Sequence, residues 1–340
     1  MSNFDYLLTL PGGEQERNWL QQRLETLSAR EGCVLAAATQ RDPPADMAQA
    51  INQLQSLDDY TVLPDAGSYE ALGEMYLRGN AVIPQDALPF VDLTALGQRY
   101  EDAHPGLFVG SCYVAYPEKV PAQVYRQGGL LPDDSAWAVK LKLASPAVPE
   151  GVWLRLPGGT PWGDESTTEE TLALQELQAQ RWDECTLLDA RCILPQAGTL
   201  MEQYDSVADL IYDGANLGYV LEERGQGSPD FMERYIAALE LEGCRDLRLA
   251  LDISQNLVCY DWVPSNGPEE LAVTKLKGAG VPDELIRSGA IDLTGYGVEL
   301  LENMGYTPSS DGSGYIRRNK EEFCCQFSTP APEQSGMTMQ

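Results

Sequence analysis

Adjacent carboxylates are the residues in this chain whose types and spacing most readily suggest chemistry. Four adjacent pairs stand out, with the members Asp58, Asp59, Glu101, Asp102, Glu222, Glu223, Glu269 and Glu270. Two carboxyl groups with separated pKa values can act as general acid and base, as in carbohydrate hydrolysis. With 52 acidic residues among 340, however, such pairs arise by chance and indicate an enzyme only weakly. Tyr60, Tyr260 and Trp262 are interpreted as packed side chains rather than as a sugar-binding platform.

Patterns for nucleophiles, metals and cofactors are scarce. A single histidine, His104, argues against zinc sites with several histidine ligands and against a Ser-His-Asp triad. The eight cysteines form no Cys-x-x-Cys pair, which favours reduced thiols in a cytoplasmic protein. Two Leu-Pro-Gly-Gly segments, at 10–13 and 156–159, lack the spacing of a phosphate-binding loop and are interpreted as turns. We therefore predict a non-enzymatic protein with no catalytic residue, no cofactor and no metal.

The charge of the chain is unusual in size and in distribution. The formal net charge is −29; residues 1–118 hold 17 acidic and 6 basic side chains, residues 119–320 hold 32 and 17, and the last 20 residues hold 3 and 0. Such a negative field repels nucleic-acid phosphates and anionic membranes, so neither is expected as a direct partner. No apolar run approaches 18 residues, and the start of the chain lacks a signal-peptide pattern.

Internal repeats give the organisation of the chain. Residues 57–70 share Leu, Tyr, Pro, Gly and Glu with the segment 200 positions later, and residues 91–97 have the same relation to 291–297. A third match joins residues 7–13 to the segment 146 positions later. These matches predict two copies of one module, the second with about 54 extra residues between its first two landmarks.

Local patterns predict the elements that must position these residues. Strands are expected at Tyr6–Leu10, Cys33–Thr39, Leu107–Tyr116, Trp137–Leu143, Val152–Leu156, Cys185–Leu194 and Gly314–Arg317. Helices are expected at Glu14–Arg30, Asp46–Leu57, Ser68–Arg78, Leu93–Glu101, Ser166–Gln180, Ser206–Leu217, Arg245–Gln255, Pro268–Lys277 and Leu293–Asn303, with a further helix capped by Ser228. Asp92 and Asp292 are predicted N-caps, because their carboxylates can accept the free amide hydrogens of a first helical turn.

The fold class that follows is α+β. We expect small mixed domains, with three-stranded sheets, helices and a helical middle domain, in an elongated duplicated module. The predicted boundaries are a shortened module at 1–118, a linker at 119–134, a sheet-plus-helix domain at 135–200, a helical domain at 201–262, a C-terminal α+β domain at 263–320 and a disordered tail at 321–340.

The landmark residues resemble the ArdA antirestriction family. The segment Pro282–Leu301, with Ile-Asp-Leu-Thr-Gly-Tyr-Gly at its centre, is similar to the family's C-terminal module, and Gly314-Tyr-Ile316 fills the place of its closing strand. Asp205 begins a segment that resembles the family's mid-protein helix start. Val298-Glu299 departs from the usual Arg-Asp after the glycine. Residues 135–320 resemble one whole family member, and residues 5–118 resemble a shortened second one.

The resemblance implies an acidic DNA mimic whose surface carboxylates replace phosphates in the DNA-binding groove of a type I restriction-modification enzyme. Its partner would be the methyltransferase core of that enzyme or another DNA-binding defence protein, and the protein would form a homodimer or an intrachain pseudo-dimer. B-DNA carries one charge per ~1.7 Å, so the net charge corresponds to roughly 50 Å of duplex. The partner-binding carboxylates predicted on this basis are Asp58, Asp59, Glu101, Asp102, Glu222, Glu223, Glu269, Glu270, Glu299 and Glu302.

Two other functions stay open at this point. One is a non-enzymatic regulatory or assembly module of a mobile element, which would bind its partner whether or not that partner binds DNA. The other is an acidic carbohydrate hydrolase, which requires a cavity lined by two carboxylates and aromatic rings, with the pKa values of the two carboxyl groups well separated.

Overall fold

The computed structural model describes residues 4–80, 90–132, 139–157, 168–194, 200, 203–225 and 230–328. The chain divides into two compact units, Met1–Asp189 and Ala190–Gln340. The fold class is α+β, as predicted from the sequence.

Twelve α-helices, nine β-strands and several short 3₁₀ turns occur in the described ranges. The helices are α1 (Glu14–Glu25), α2 (Ala29–Arg41), α3 (Met47–Gln55), α4 (Tyr69–Asn80), α5 (Leu93–Ala103), α6 (Thr168–Glu176), α7 (Val207–Gly225), α8 (Phe231–Leu241), α9 (Leu247–Gln255), α10 (Gly267–Gly278), α11 (Asp283–Ile286) and α12 (Leu293–Asn303). The strands are β1 (Thr61–Leu63), β2 (Gly106–Val109), β3 (Cys112–Ala115), β4 (Val139–Ala144), β5 (Val152–Leu156), β6 (Thr186–Cys192), β7 (Tyr260–Pro264), β8 (Thr307–Pro308) and β9 (Gly314–Arg318).

The strands form three three-stranded sheets, two of which share one topology. Their strand orders are β1-β3-β2, β5-β4-β6 and β7-β9-β8. In the first and third sheets the last strand lies between the other two and pairs antiparallel with both. Thr61 faces Ala115 in the first sheet, and Tyr260 faces Arg318 in the third. The repeated order is consistent with the duplication predicted at an offset of 200 residues.

The shared order of elements extends further upstream than the sequence matches indicate. α1, α2 and α3 precede the 3₁₀ turn Leu57–Asp59 and β1, and α7, α8 and α9 precede the turn Leu257–Cys259 and β7 in the same order. We call residues 14–115 the first repeat and residues 207–318 the second repeat. The match at an offset of 146 is not structural, because Asp5–Thr9 is a 3₁₀ helix whereas Val152–Leu156 is a strand.

Two caps and one glycine recur at the same offset. Asp92 and Asp292 accept hydrogen bonds from the backbone N–H groups of Ala95 and Gly295, which confirms both predicted N-caps. A Cβ on Gly97 would lie 1.9 Å from the carbonyl oxygen of Tyr69, and a Cβ on Gly297 equally close to that of Pro268. Only glycine therefore permits the close crossing of α4 with α5 and of α10 with α12.

Several predicted elements are wrong at the start of the chain. Tyr6–Leu10 is not a strand, and the helix predicted to reach Arg30 ends at Glu25. A new helix begins after Ser28, whose side chain accepts a hydrogen bond from the N–H of Glu31, and it includes the predicted strand Cys33–Thr39. The apolar run is helical because α2 packs against several elements and buries more than one of its faces.

Other boundaries differ less. The predicted strand Leu107–Tyr116 is the hairpin β2–β3, which turns at Gly110 with a φ of +56°. The helix predicted at Ser206–Leu217 continues to Gly225. The predicted starts at Trp137, Ser166 and Ser228, and the glycines Gly158-Gly159, lie outside the described residues.

The sheet β5-β4-β6 and α6 follow the first repeat, and the described part of the second repeat contains no counterpart of them. β5 and α6 pack against α2 of the first repeat, and Ser28 forms a parallel backbone bridge with Trp153. These residues up to Asp189 belong to the first compact unit. That grouping differs from the sequence-based one, which joined them to the C-terminal module.

A strap of irregular backbone follows each repeat and is held by residue 52 or 252. In the predicted linker, Asn52 donates to the carbonyl of Tyr125 at 2.9 Å and accepts from its N–H at 2.8 Å, and the ring of Tyr125 is buried. In the predicted disordered tail, Asp252 accepts backbone hydrogen bonds from Gln326, Phe327 and Ser328 at 2.7–3.1 Å. Residues 321–328 are thus folded onto α9, and the prediction of disorder is wrong for them.

Candidate functional site

The four carboxylates of the first repeat that are predicted to face a partner differ in how strongly other side chains of the protein hold them. Asp58 accepts two hydrogen bonds from Arg155, at 2.7 and 2.9 Å, and a third from Arg30 at 3.2 Å. Burial alone would raise the pKa of Asp58, but the guanidinium of Arg155 holds it below its usual range. The charge of Asp58 is therefore balanced within the protein.

The other three carboxylates of the first repeat are less constrained. Glu101 is half-buried and accepts a hydrogen bond from the hydroxyl of Tyr69 at 2.7 Å, which raises the pKa of Tyr69. Asp59 and Asp102 are exposed, and neither carboxylate forms an ion pair or hydrogen bond with a described residue.

The six predicted carboxylates of the second repeat are all exposed. Glu222 and Glu223 lie in the last turns of α7, and Glu299 and Glu302 lie on α12. Glu269 and Glu270 lie in the first turn of α10, where negative charge is also favoured by the helix dipole. Glu302 occupies the position of Asp102, and Glu270 that of Glu70, at the offset of 200.

The cationic side chains explain why so much negative charge is left at the surface. Arg23, Lys140 and Arg155 are buried around Glu31, with closest nitrogen–oxygen distances of 2.6, 3.8 and 3.7 Å. Burial opposes ionisation of Glu31, yet these cations lower its pKa to about 2. These three cations are occupied by Glu31, and Arg155 also pairs with the surface carboxylate of Asp58, so little of their positive charge is left for the other predicted carboxylates.

Further cations are bound in pairs in the second unit. Their ion pairs are Arg248–Asp213 at 2.6 Å, Arg317–Asp261 at 2.7 Å and Arg318–Glu242 at 2.8 Å. Arg317 also lies 4.6 Å from the ring centroid of Tyr306. Sequence patterns missed all of these pairs, because the partners are separated by 35 to 76 positions.

Glu169 is a buried carboxyl group of the first unit whose pKa is shifted upward. It lies in the first turn of α6, is 2% exposed, and neither oxygen meets a hydrogen-bond donor in good geometry among the described residues. Burial, together with the negative charge of Glu31, raises the pKa of Glu169 to about 7. The sequence indicates Glu169 only as the glutamate of the capping-box pattern Ser-Thr-Thr-Glu at 166–169, and that pattern does not predict its burial.

A cavity of about 520 Å³ lies at the start of α8 in the second unit. Its lining includes Asp230, Phe231, Arg234, Tyr260, Trp262 and Tyr306. Asp261 also lines it, but Asn319 and Arg317 donate hydrogen bonds to this carboxylate and lower its pKa. Asp261 is ionised and accepts hydrogen bonds from two residues, so it is unsuited to be the general acid of a carbohydrate hydrolase.

Two nitrogen atoms at this cavity lack acceptors. Nε of Arg234 and Nε1 of Trp262 are buried from solvent and donate to no described residue. A buried donor without an acceptor costs about 1–3 kcal/mol. Arg234 is nevertheless fixed in place, since its terminal nitrogen donates to the carbonyls of Leu257, at 2.7 Å, and Tyr260.

Comparisons of the chain with protein-family models, with curated proteins and with solved structures find no match. Within the described ranges, no group of three or more His, Cys, Asp or Glu residues is placed to hold a metal ion. All eight cysteines are free thiols. None of the described helices is both long enough and apolar enough to cross a membrane.

Proposed function

We propose that this chain is an inhibitor that occupies the DNA-binding groove of a type I restriction-modification enzyme, or of another DNA-binding defence protein, as an acidic DNA mimic. The observation that carries the proposal is a set of exposed carboxylates without partners in the described residues, next to cations that are bound internally. We use the name open carboxylates for those members of this set that the sequence analysis predicts to face a partner: Asp59, Asp102, Glu223, Glu269, Glu270, Glu299 and Glu302.

The mechanism is competition, and no bond is made or broken. Lysine and arginine side chains that contact DNA phosphates would form charge-assisted hydrogen bonds with the open carboxylates instead. Asp58 is not one of these contacts, because Arg155 and Arg30 already hold it. Inhibition would weaken as the salt concentration rises, since it depends on many partly exposed charge pairs.

The test is displacement of a labelled duplex from a type I methyltransferase core, followed at low and at moderate salt. We expect stoichiometric displacement that weakens with salt. Converting Asp102, Glu269, Glu270, Glu299 and Glu302 to amides should weaken it about 10- to 100-fold, because exposed pairs contribute roughly 0.2–1 kcal/mol each.

A matched control separates a specific surface from bulk charge. Converting five other exposed carboxylates to amides changes the net charge equally; they are Glu14, Glu25, Asp42, Glu118 and Glu321. The control variant should displace the duplex nearly as well as the parent protein. A duplex that stays bound at every protein concentration, or displacement indifferent to both salt and the five open carboxylates, contradicts the proposal.

A further inference from the structure

An arginine on the second helix of each repeat makes the same backbone contact, and this contact identifies corresponding faces of the two repeats. In the first repeat, Arg30 on α2 donates to the carbonyl of Tyr60 at 3.1 Å. In the second repeat, Arg234 on α8 donates to the carbonyl of Tyr260, the residue 200 positions later. The surroundings of these two arginines can therefore be compared directly.

In the first repeat this face is covered by extended chain. Ser28, just before α2, forms a backbone bridge with Trp153 of β5, and Lys140 of β4 donates to the carbonyl of Thr26 at 3.3 Å. Arg155 of β5 binds Asp58 through two hydrogen bonds. The cover thus consists of strands in which basic side chains alternate with apolar ones, as in Val139–Leu143.

In the second repeat the same face carries the cavity of about 520 Å³. The donors Arg234 Nε and Trp262 Nε1 have no acceptor there among the described residues. Val258 occupies the position of Asp58 and is 64% exposed. An occupant of this cavity would supply an acceptor to the indole nitrogen of Trp262 and cover apolar surface.

The charged side chains at the cavity indicate which kind of occupant could bind there. Asp230 is exposed and does not cap α8 with its side chain, so its carboxylate is available to a cation. An anion is disfavoured by Asp230, by Asp261 and by the net charge of −29. Backbone carbonyls are neutral acceptors, and a peptide supplies them together with a basic side chain.

We propose that the cavity at the start of α8 is a docking site for an extended segment of a partner protein, in which a basic side chain is flanked by apolar ones. A carbonyl group of the segment accepts from the indole N–H of Trp262 after a small rotation of that side chain, and the basic side chain of the segment pairs with Asp230. The proposal does not rest on the proposed inhibitory function, and its partner need not be a DNA-binding protein.

The test uses the full chain labelled with ¹⁵N and a capped synthetic peptide with the sequence of residues 137–157, which reproduces the β4–β5 strands. The six tryptophan indole N–H signals are recorded, and that of Trp262 is assigned by its loss in Trp262→Phe. We expect the Trp262 signal to shift saturably, because its N–H gains an acceptor. Trp262→Phe and Asp230→Asn should each weaken peptide binding about 3- to 10-fold.

Three controls distinguish docking from general attraction of a cationic peptide. Trp182→Phe, a half-buried tryptophan of the first unit, should leave the affinity unchanged. A peptide with its Lys and Arg replaced by Glu should not bind, and a scrambled peptide of the same composition should bind at least 10-fold more weakly. No shift of the Trp262 signal at millimolar peptide, or equal binding of the scrambled peptide, overturns the proposal.

Discussion

The two repeats share an order of helices and strands but differ in the chemistry of one face. In the first repeat the face beside α2 presents Glu31 and Asp58 to the buried cations of β4 and β5. In the second repeat, alignment of the two arginines places the fully buried Tyr235 at the position of Glu31, and Val258 replaces Asp58. The same order of helices and strands therefore accommodates either a charged or an uncharged face. The charged residues occur in the repeat whose face packs against cationic side chains.

The largest expected effect is a loss of stability of the first repeat alone, caused by a substitution of Glu31. Glu31→Gln leaves Arg23, Lys140 and Arg155 without their central anion, so the free energy of unfolding of the first unit should fall by about 3–5 kcal/mol. Hydrogen exchange, followed peptide by peptide during urea titration, measures this for each unit. Tyr235→Phe in the second repeat should cost only about 1 kcal/mol, for its single hydrogen bond to Ala250. Similar losses in the two variants would refute the difference drawn between the faces.

A second prediction concerns pH and the segment that covers the first repeat. The pKa of Glu169 is about 7 in the folded protein and about 4.5 in the unfolded chain, so the folded protein binds an additional proton between these values. The stabilisation is complete below pH 4.5 and is lost as the pH rises through 7. Glu169→Gln should remove this dependence and be more stable than the parent at pH 8, by up to about 3 kcal/mol. Urea titrations at several pH values measure the stability of both proteins. The prediction is contradicted if stability depends on pH in the same way in Glu169→Gln and in the parent.

A third prediction applies to both repeats equally. Gly97→Ala and Gly297→Ala each place a Cβ against a carbonyl oxygen of the neighbouring helix, and each should destabilise its own unit by about 2 kcal/mol. Gly32→Ala is the control, since a Cβ there meets no atom within 4 Å and should stabilise α2 by about 0.5–1 kcal/mol. Thermal unfolding combined with hydrogen exchange distinguishes the units. If only one of the two variants is destabilised, the helix crossings are not equivalent.

The smallest effect tests the strap of the second repeat. Asp252→Asn turns an amide N–H₂ toward backbone N–H donors and weakens charge-assisted hydrogen bonds, at a cost of about 1 kcal/mol. Hydrogen exchange should increase in residues 323–328 and stay unchanged in the strap held by Asn52. Unchanged protection of residues 323–328 would show that Asp252 does not hold the strap.

Features encoded within a few residues could be predicted from the sequence. Asp92 and Asp292 were identified as caps because a capping carboxylate acts within its own first turn. The helix predicted at Pro268–Lys277 ends at Gly278, and Gly280, just beyond it, has a φ of +80°. Conversely, the apolar run Cys33–Thr39 predicts a strand where the structure has a helix, because a short apolar run has the same pattern in a buried strand and a buried helix.

The candidate site was predictable only in part. Net charge and carboxylate positions are properties of the sequence, and most of the predicted carboxylates are exposed. That Arg155 neutralises Asp58 could not be predicted, since the two residues are 97 positions apart. The sequence also does not predict that Nε of Arg234 and Nε1 of Trp262 lack acceptors, because a missing acceptor is a property of the packed surroundings.

The sequence alone establishes the α+β class, the large distributed negative charge and the residue matches at an offset of 200, because composition and spacing are local or additive properties. Only the tertiary structure decided which charges are free and which are bound. It also decided that β5 and α6 pack against the first repeat, and that Asn52 holds Tyr125 while Asp252 holds residues 326–328. The physical reason is that desolvation, pairing and hydrogen-bond geometry depend on groups brought together from distant parts of the chain.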